Sequence, residues 1–174
     1  MKQVRIITGL SLLVFLACLG CSSPPQKVTV FKTFPLNGKV DTITKTGVTF
    51  DKNVSSDGKG SLKITATGPT VVRLFETGDL DIDNGKLIYQ AALKTKDVQG
   101  NVYLEMYCHF LGKGEFFSRS LQSPITGTTD WTTEETPFYL KKGENPDNIK
   151  LNLIFTSQGT AWIDNIKILK TPWR

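Results

Sequence analysis

Residues 101–110 (NVYLEMYCHF) constrain the fold more than any other segment of the sequence, because their side chains alternate strictly in polarity. One set is apolar and comprises Val102, Leu104, Met106, Cys108 and Phe110, and the other comprises Tyr103, Glu105, Tyr107 and His109. Successive side chains of an extended chain point to opposite faces. The segment is therefore predicted to be a β-strand with one face in a hydrophobic core. The other face carries two aromatic rings, a carboxylate and the only histidine, and suits a polar ligand with flat apolar patches.

The rest of the chain repeats this pattern in short segments, and no long stretch has helical periodicity. Predicted strands cover 28–34, 47–50, 60–66, 70–76, 86–95, 115–121, 131–140, 148–156 and 159–169, separated by Gly, Pro, Asn and Asp. Such spacing is typical of an all-β fold, and we predict an antiparallel β-sandwich of the jelly-roll kind. We expect residues 86–95 and 101–110 to form a hairpin that shares its faces, and residues 124–130 to form a loop.

The first residues predict an export signal. Lys2 and Arg5 precede an apolar run over 6–19, which is too short and too poorly flanked for a comfortable transmembrane helix. We therefore divide the chain into a signal peptide (1–20), a tether (21–27) and one domain (28–170).

The end of the apolar run, residues 16–21 (LACLGC), resembles the lipobox of bacterial lipoproteins. The resemblance implies that Cys21 carries acyl chains such as palmitate and holds the exported protein at the cell envelope membrane. Cys18 is the alternative lipidation site, and Cys21 is favoured because polar linker begins at Ser22. Ser22 in place of aspartate implies the outer membrane, if the cell has one. A simple signal peptide with incidental cysteines remains the other interpretation.

The charge of the chain excludes one class of partner. The sequence has 21 Lys and Arg residues against 16 Asp and Glu residues. Without Lys2 and Arg5, 19 cations remain and the net charge is +3. The longest basic cluster is Lys141–Lys142, so we predict no nucleic-acid binding.

The sequence also lacks a catalytic constellation. Glu105 and His109 are four residues apart on a strand, about 13 Å, which is too far for a direct pair. No nucleophile elbow, zinc motif or phosphate loop is present. Cys108 lies on the apolar face and is predicted to be a small core residue, with no internal disulfide in the processed chain. We predict a non-enzyme.

An ordered set of motifs resembles a known family. These are residues 85–95, the DWT motif at 130–132, the strand around Phe138, the alternation of Ile149, Leu151 and Leu153, and residues 159–168 (GTAWIDNIKI). Together, over roughly residues 48–169, they resemble the β-jelly rolls of the galactose-binding-domain-like superfold, in particular the carbohydrate-binding modules of xylanases and glucanases. The resemblance implies a glycan ligand on the concave face of one sheet.

The resemblance also implies which residues bind. The expected ligand-binding set is Tyr103, Glu105, Tyr107, His109, Gln90, Lys94, Arg119 and Asn152, with Lys150 as a further candidate. The set contains no tryptophan, although tryptophan is the strongest platform for a sugar ring. Two alternatives stay open: the outward face is covered by a loop or an N-terminal strand, or the domain docks a protein partner as an envelope lipoprotein.

The same family often holds a structural calcium ion between an early loop and the acid of the last strand. The matching positions are Asp164 and the backbone carbonyls around Gly58 and Gly60, with Asp51 as a candidate further ligand. The alternative for Asp164 is an acid in a strand-end turn.

Overall fold

The computed structural model describes residues 27–36, 38–78 and 80–173. These residues form nine antiparallel strands and no helix: β1 (Thr29–Thr33), β2 (Val48–Asp51), β3 (Ser61–Ala66), β4 (Thr70–Thr77), β5 (Gly85–Phe110), β6 (Gly114–Arg119), β7 (Ile125–Leu140), β8 (Asn148–Phe155) and β9 (Gly159–Thr171). The predicted antiparallel β-sandwich is confirmed. The signal peptide and Cys21 lie outside the described residues. Within the described ranges, no helix is long and apolar enough to cross a bilayer.

The predicted hairpin between residues 86–95 and 101–110 is wrong, because both segments belong to the single strand β5. The first half of β5 pairs with β7 and β9, and the second half pairs with β6 and β8. Asp97 has a φ of 54° and marks a register shift, not a chain reversal. Gly100 was expected to belong to the turn of this hairpin. The strand instead requires glycine there because residue 156 passes close to the backbone: a Cβ at position 100 would lie 2.4 Å from the Thr156 hydroxyl oxygen.

Strand β5 therefore connects the two sheets of the sandwich. The first sheet has the order β2-β3-β9-β5, with β1 on β9 and β7 on β5. The second has the order β5-β8-β4, with β6 on the other side of β5. Residues 124–130 were expected to be a loop, but β7 begins at Ile125, which pairs with Val102. This distant pairing partner overrides the local preference of the Gly127 region for a turn.

The core lies between the two sheets and follows the predicted alternation. Val102, Leu104, Met106 and Cys108 are fully buried, and Phe110 is nearly so. The first half of β5 contributes Leu87, Tyr89, Ala91 and Leu93, and β8 contributes Ile149, Leu151, Leu153 and Phe155. The predicted core face of residues 101–110 is confirmed.

Cys108 is the free cysteine of the described residues, and its side chain is buried in this core. Burial, helped by the negative charge of Glu115, raises the pKa of its thiol to about 12. The thiol is therefore protonated at physiological pH, which removes the nucleophilic thiolate form.

Candidate functional site

The outward face of the second sheet is an open groove built from four strands. Pairing of β4, β8, β5 and β6 aligns Arg73, Asn152, Glu105 and Arg119 in one row across the sheet. Neighbouring strands are about 4.8 Å apart, so this row spans the groove floor. The groove has a volume of about 440 Å³. Its lining comprises Val71, Arg73, Tyr103, Glu105, Tyr107, Glu115, Arg119, Lys150, Asn152 and Ile154.

Glu105 lies in the middle of this row, between Asn152 and Arg119. Its side chain is 3% exposed, although it belongs to the outward set of residues 101–110. One carboxylate oxygen accepts a hydrogen bond from Arg119 Nε at 2.5 Å, and the other accepts one from Asn152 Nδ2 at 3.0 Å. The carboxylate raises the pKa of the Arg119 guanidinium above its usual value. Glu105 therefore holds two neighbours in place and presents neither oxygen openly to the groove.

The cations of the groove each have a carboxylate partner. Besides the Arg119–Glu105 pair, Lys150 Nζ lies 2.6 Å from a Glu115 oxygen. Arg73 lies 2.5 Å from a Glu76 oxygen. Such pairs contribute little to stability where they are exposed. Their effect on the site is to leave a charge-balanced surface with many N–H donors, which suits a ligand rich in hydroxyl groups.

Two tyrosines provide the flat apolar surfaces. Tyr103 and Tyr107 lie on β5 and are both partly exposed. The Tyr107 ring lies 5.8 Å from the Phe117 ring of β6, at an interplanar angle of 51°. Strand β1, one element expected to cover this face in the alternative interpretation, pairs instead with β9 in the first sheet. Partly exposed rings beside fixed polar groups have the composition of a small-ligand site.

Three of the predicted ligand-binding residues lie outside the groove lining. His109 lies further along β5, where its Nδ1 atom is 2.7 Å from an Asp147 carboxylate oxygen. Gln90 and Lys94 lie in the first half of β5, where they contact Glu135 and Asp130 of β7. They were placed with the tyrosines because of the expected hairpin, and the continuous course of β5 separates them.

Several residues of the groove lining were not predicted from the sequence. Val71 and Arg73 come from β4, Ile154 from β8 and Glu115 from β6. The alternation within β4 groups Val71 with Arg73 on one face. Nothing in the sequence shows which neighbour β4 pairs with, so their place beside Asn152 could not be predicted.

In the predicted calcium region, Asp164 of β9 is hydrogen-bonded to the loop between β2 and β3. Asp164 is 4% exposed, and its Oδ2 atom accepts hydrogen bonds from the Ser56 amide at 2.9 Å and the Ser56 hydroxyl at 2.8 Å. The candidate ligand Asp51 accepts a hydrogen bond from Trp162 Nε1 at 3.0 Å, which lowers the pKa of its carboxyl group. In the described part of the chain, no three His, Cys, Asp or Glu side chains cluster as a metal site.

These carboxylates fit a hydrogen-bonded anchor better than a calcium site. Calcium takes six to eight oxygen ligands, whereas N–H and O–H donors already engage the oxygens of Asp164 and Asp51. Calcium at Asp164, Gly58 and Gly60 stays a prediction. If it binds there, millimolar calcium will raise the melting temperature relative to EDTA, and Asp164→Asn will remove the difference. Equal melting temperatures would contradict the prediction.

Comparison with known proteins supports the fold assignment. No family model matches the sequence, and neither does any curated protein. Among solved structures, the CBM22-1 xylan-binding domain of Paenibacillus barcinonensis Xyn10C is 13% identical, with a TM-score of 0.54 over 73% of this chain and 82% of that one.

Two further solved structures have similar scores. A family 16 carbohydrate-binding module is 16% identical, with a TM-score of 0.52 over 70% of this chain and 84% of the other. The CBM22-1 and GH10 modules of Clostridium thermocellum xylanase Xyn10B, solved with xylohexaose, are 14% identical with a TM-score of 0.53. That match covers 76% of this chain and 25% of the other. At these identities the likeness shows the fold: the chain has the β-sandwich architecture of carbohydrate-binding modules.

Proposed function

We propose that this domain is a non-catalytic carbohydrate-binding module whose groove between β4 and β6 holds a polysaccharide. The observation that carries the proposal is the row of polar side chains fixed through Glu105 beside the partly exposed rings of Tyr103 and Tyr107. The rings pack on the apolar C–H faces of sugars, and the guanidinium, amide and phenol groups meet their hydroxyls. The shared fold of solved carbohydrate-binding modules supports the same class of ligand.

The arrangement of the groove carboxylates supports ligand binding without catalysis. Glu105 is hydrogen-bonded through both oxygens, and Glu115 is paired with Lys150. A glycosidase needs one carboxyl group to donate a proton and a second to act as nucleophile or base. The two carboxylates that line the groove are engaged in holding its cations.

Replacing Tyr107 by alanine should weaken glycan binding by about tenfold, because the substitution removes a ring that packs on sugar and on Phe117. Affinity electrophoresis in gels that contain xylan, β-glucan, mannan or galactan measures the retardation. Val30→Ala is the matched control, since Val30 is 56% exposed on β1, away from the groove.

Two results of this experiment would argue against the proposal. Migration of the wild-type protein unchanged by every polysaccharide would overturn it, as would retardation that Tyr107→Ala leaves intact.

A pull-down from membranes tests the alternative function. A protein partner recovered by the wild type but not by Tyr107→Ala would assign the groove to protein recognition instead.

We further propose that the exported domain is held at a bacterial envelope membrane by acyl chains on Cys21, with the polar residues that follow as tether. The resemblance of residues 16–21 to a lipobox supports this. In cells fed an alkyne analogue of palmitate, the wild-type protein and Cys18→Ser should be labelled, and Cys21→Ser should not. Label retained by Cys21→Ser but lost by Cys18→Ser would move the anchor to Cys18, and no label on any of them would contradict lipidation.

A further inference from the structure

A second, larger cavity lies across strand β6 from the groove, and nothing described so far uses it. It measures about 570 Å³ and opens where the edge strand β6 meets β7. The Ser118 hydroxyl of β6 is hydrogen-bonded there to two atoms of β7, Thr136 Oγ1 at 2.7 Å and the Pro137 carbonyl oxygen at 2.5 Å. We call this recess between the two strands the seam cavity. The cavity lining comprises Phe117, Ser118, Arg119, Ser120, Gln122, Ser123, Glu135, Pro137, Phe138 and Tyr139.

This cavity offers exposed rings together with hydrogen-bonding groups. Phe117 is 54% exposed and Tyr139 is 57% exposed, and both line this one cavity. Exposed apolar side chains that lie together, unlike scattered ones, mark interaction sites. The Trp173 ring, 43% exposed, lies 5.5 Å from the Tyr139 ring at the far side. Glu135 is held by Gln90 Nε2 at 2.5 Å, so the carboxylate is fixed at the cavity wall. Rings beside polar groups repeat the composition of the groove.

The groove and this cavity are joined by Arg119, which lines both. Its guanidinium carbon lies 4.4 Å from the centre of the Phe117 ring, while Nε is held by Glu105. Phe117 in turn contacts Tyr107 of the groove. Partly exposed rings therefore continue from Tyr103 and Tyr107 over β6 to Phe117, Tyr139 and Trp173.

We propose that the groove and the seam cavity form one extended binding surface, on which a linear polysaccharide crosses the edge strand β6 and places further sugar residues against Phe117 and Tyr139. The proposal rests on the proposed function of the groove and adds a subsite to it. The occupant is the same polymer chain because the two recesses share Arg119.

The test uses oligosaccharides of two lengths from whichever of xylan, β-glucan, mannan or galactan retards the wild-type protein. Titration calorimetry measures the affinity of the hexasaccharide and the trisaccharide for the full chain and its variants. Tyr139→Ala should weaken the hexasaccharide by about three- to tenfold and leave the trisaccharide unchanged. Phe117→Ala also removes a contact to Tyr107 of the groove, so it should weaken both sugars and the hexasaccharide more. Tyr103→Ala should weaken both sugars, and Val30→Ala should weaken neither.

The outcomes separate the two proposals. Hexasaccharide affinity that survives in both cavity variants overturns the extended surface and leaves groove binding in place. Trisaccharide binding that falls with Tyr139→Ala but not with Tyr103→Ala overturns it as well, because the cavity then acts alone. If no polysaccharide retards the wild type, both proposals fail. Far-ultraviolet circular dichroism shows that each variant is folded, and Tyr139→Phe, which keeps the ring, should retain hexasaccharide binding.

Discussion

Replacing Glu105 by alanine should both destabilise the domain and weaken its binding to glycans. The free energy of unfolding should fall by about 2–4 kcal/mol, because two charge-assisted hydrogen bonds are lost and Asn152, itself buried, keeps an unpaired amide. Arg119 is about a third exposed (34%) and is solvated when its partner is removed, so the cost stays below that of a fully buried pair. Glycan affinity should fall more than about tenfold, because ordering Arg119 and Asn152 then opposes binding.

Urea unfolding followed by tryptophan fluorescence measures the first effect, and affinity electrophoresis measures the second. Glu105→Gln is the matched control, since it keeps the shape and one acceptor but loses the charge, and it should cost about half as much stability. Glu76→Ala removes an exposed partner of Arg73 and should change stability by less than about 0.5 kcal/mol. An alanine variant at position 105 with wild-type stability and binding would show that Glu105 does not organise the groove.

Two substitutions of Tyr89 should have opposite effects on stability. Tyr89 is fully buried in β5, and its hydroxyl has no hydrogen-bond partner among the residues that the structure describes. Burial raises the pKa of this phenol far above its usual value. Tyr89→Phe removes the unpaired hydroxyl and keeps the ring, so it should stabilise the domain by about 1 kcal/mol. Tyr89→Ala leaves a cavity and should destabilise it by about 3–5 kcal/mol.

Urea titration resolves both changes if the slope of the transition stays constant across the variants. Leu93→Ala, a second truncation of a fully buried side chain of the same strand half, should cost about 2–5 kcal/mol and calibrates the scale. A Tyr89→Phe variant that is less stable than the wild type would show that the hydroxyl has a partner in solution. Binding should be unaffected in Tyr89→Phe, because Tyr89 faces the core.

The sequence carries enough information for the strands but not for how they pair. Residues 101–110 and 148–155 of the second sheet show their buried face by alternation, because a half-buried strand needs an apolar side chain at every second position. The tyrosines of the groove follow from the same pattern. The burial of Glu105 could not be predicted from this pattern, because its partners Arg119 and Asn152 lie 14 and 47 residues away along the chain.

The misplacement of Gln90 and Lys94 has one physical origin. Asp97 and Gly100 are residues that favour turns, and two alternating segments on either side of such residues typically form a hairpin. Here the glycine is required because Thr156 and Ser157 pass too close for a side chain. A contact with a distant segment therefore decides between reversal and continuation, and local sequence does not encode that contact.

The three partners of strand β9 determine when this chain can fold. The last strand in the sequence pairs with β1, with β3 and with the first half of β5. The first sheet therefore cannot assemble until β9 has left the ribosome, and pairings of such long sequence separation form slowly. Until then the edges of β3 and of the first half of β5 that pair with β9 stay open to non-native pairing. If the domain is exported as proposed above, the late pairing of β9 suits passage across a membrane as an unfolded polypeptide.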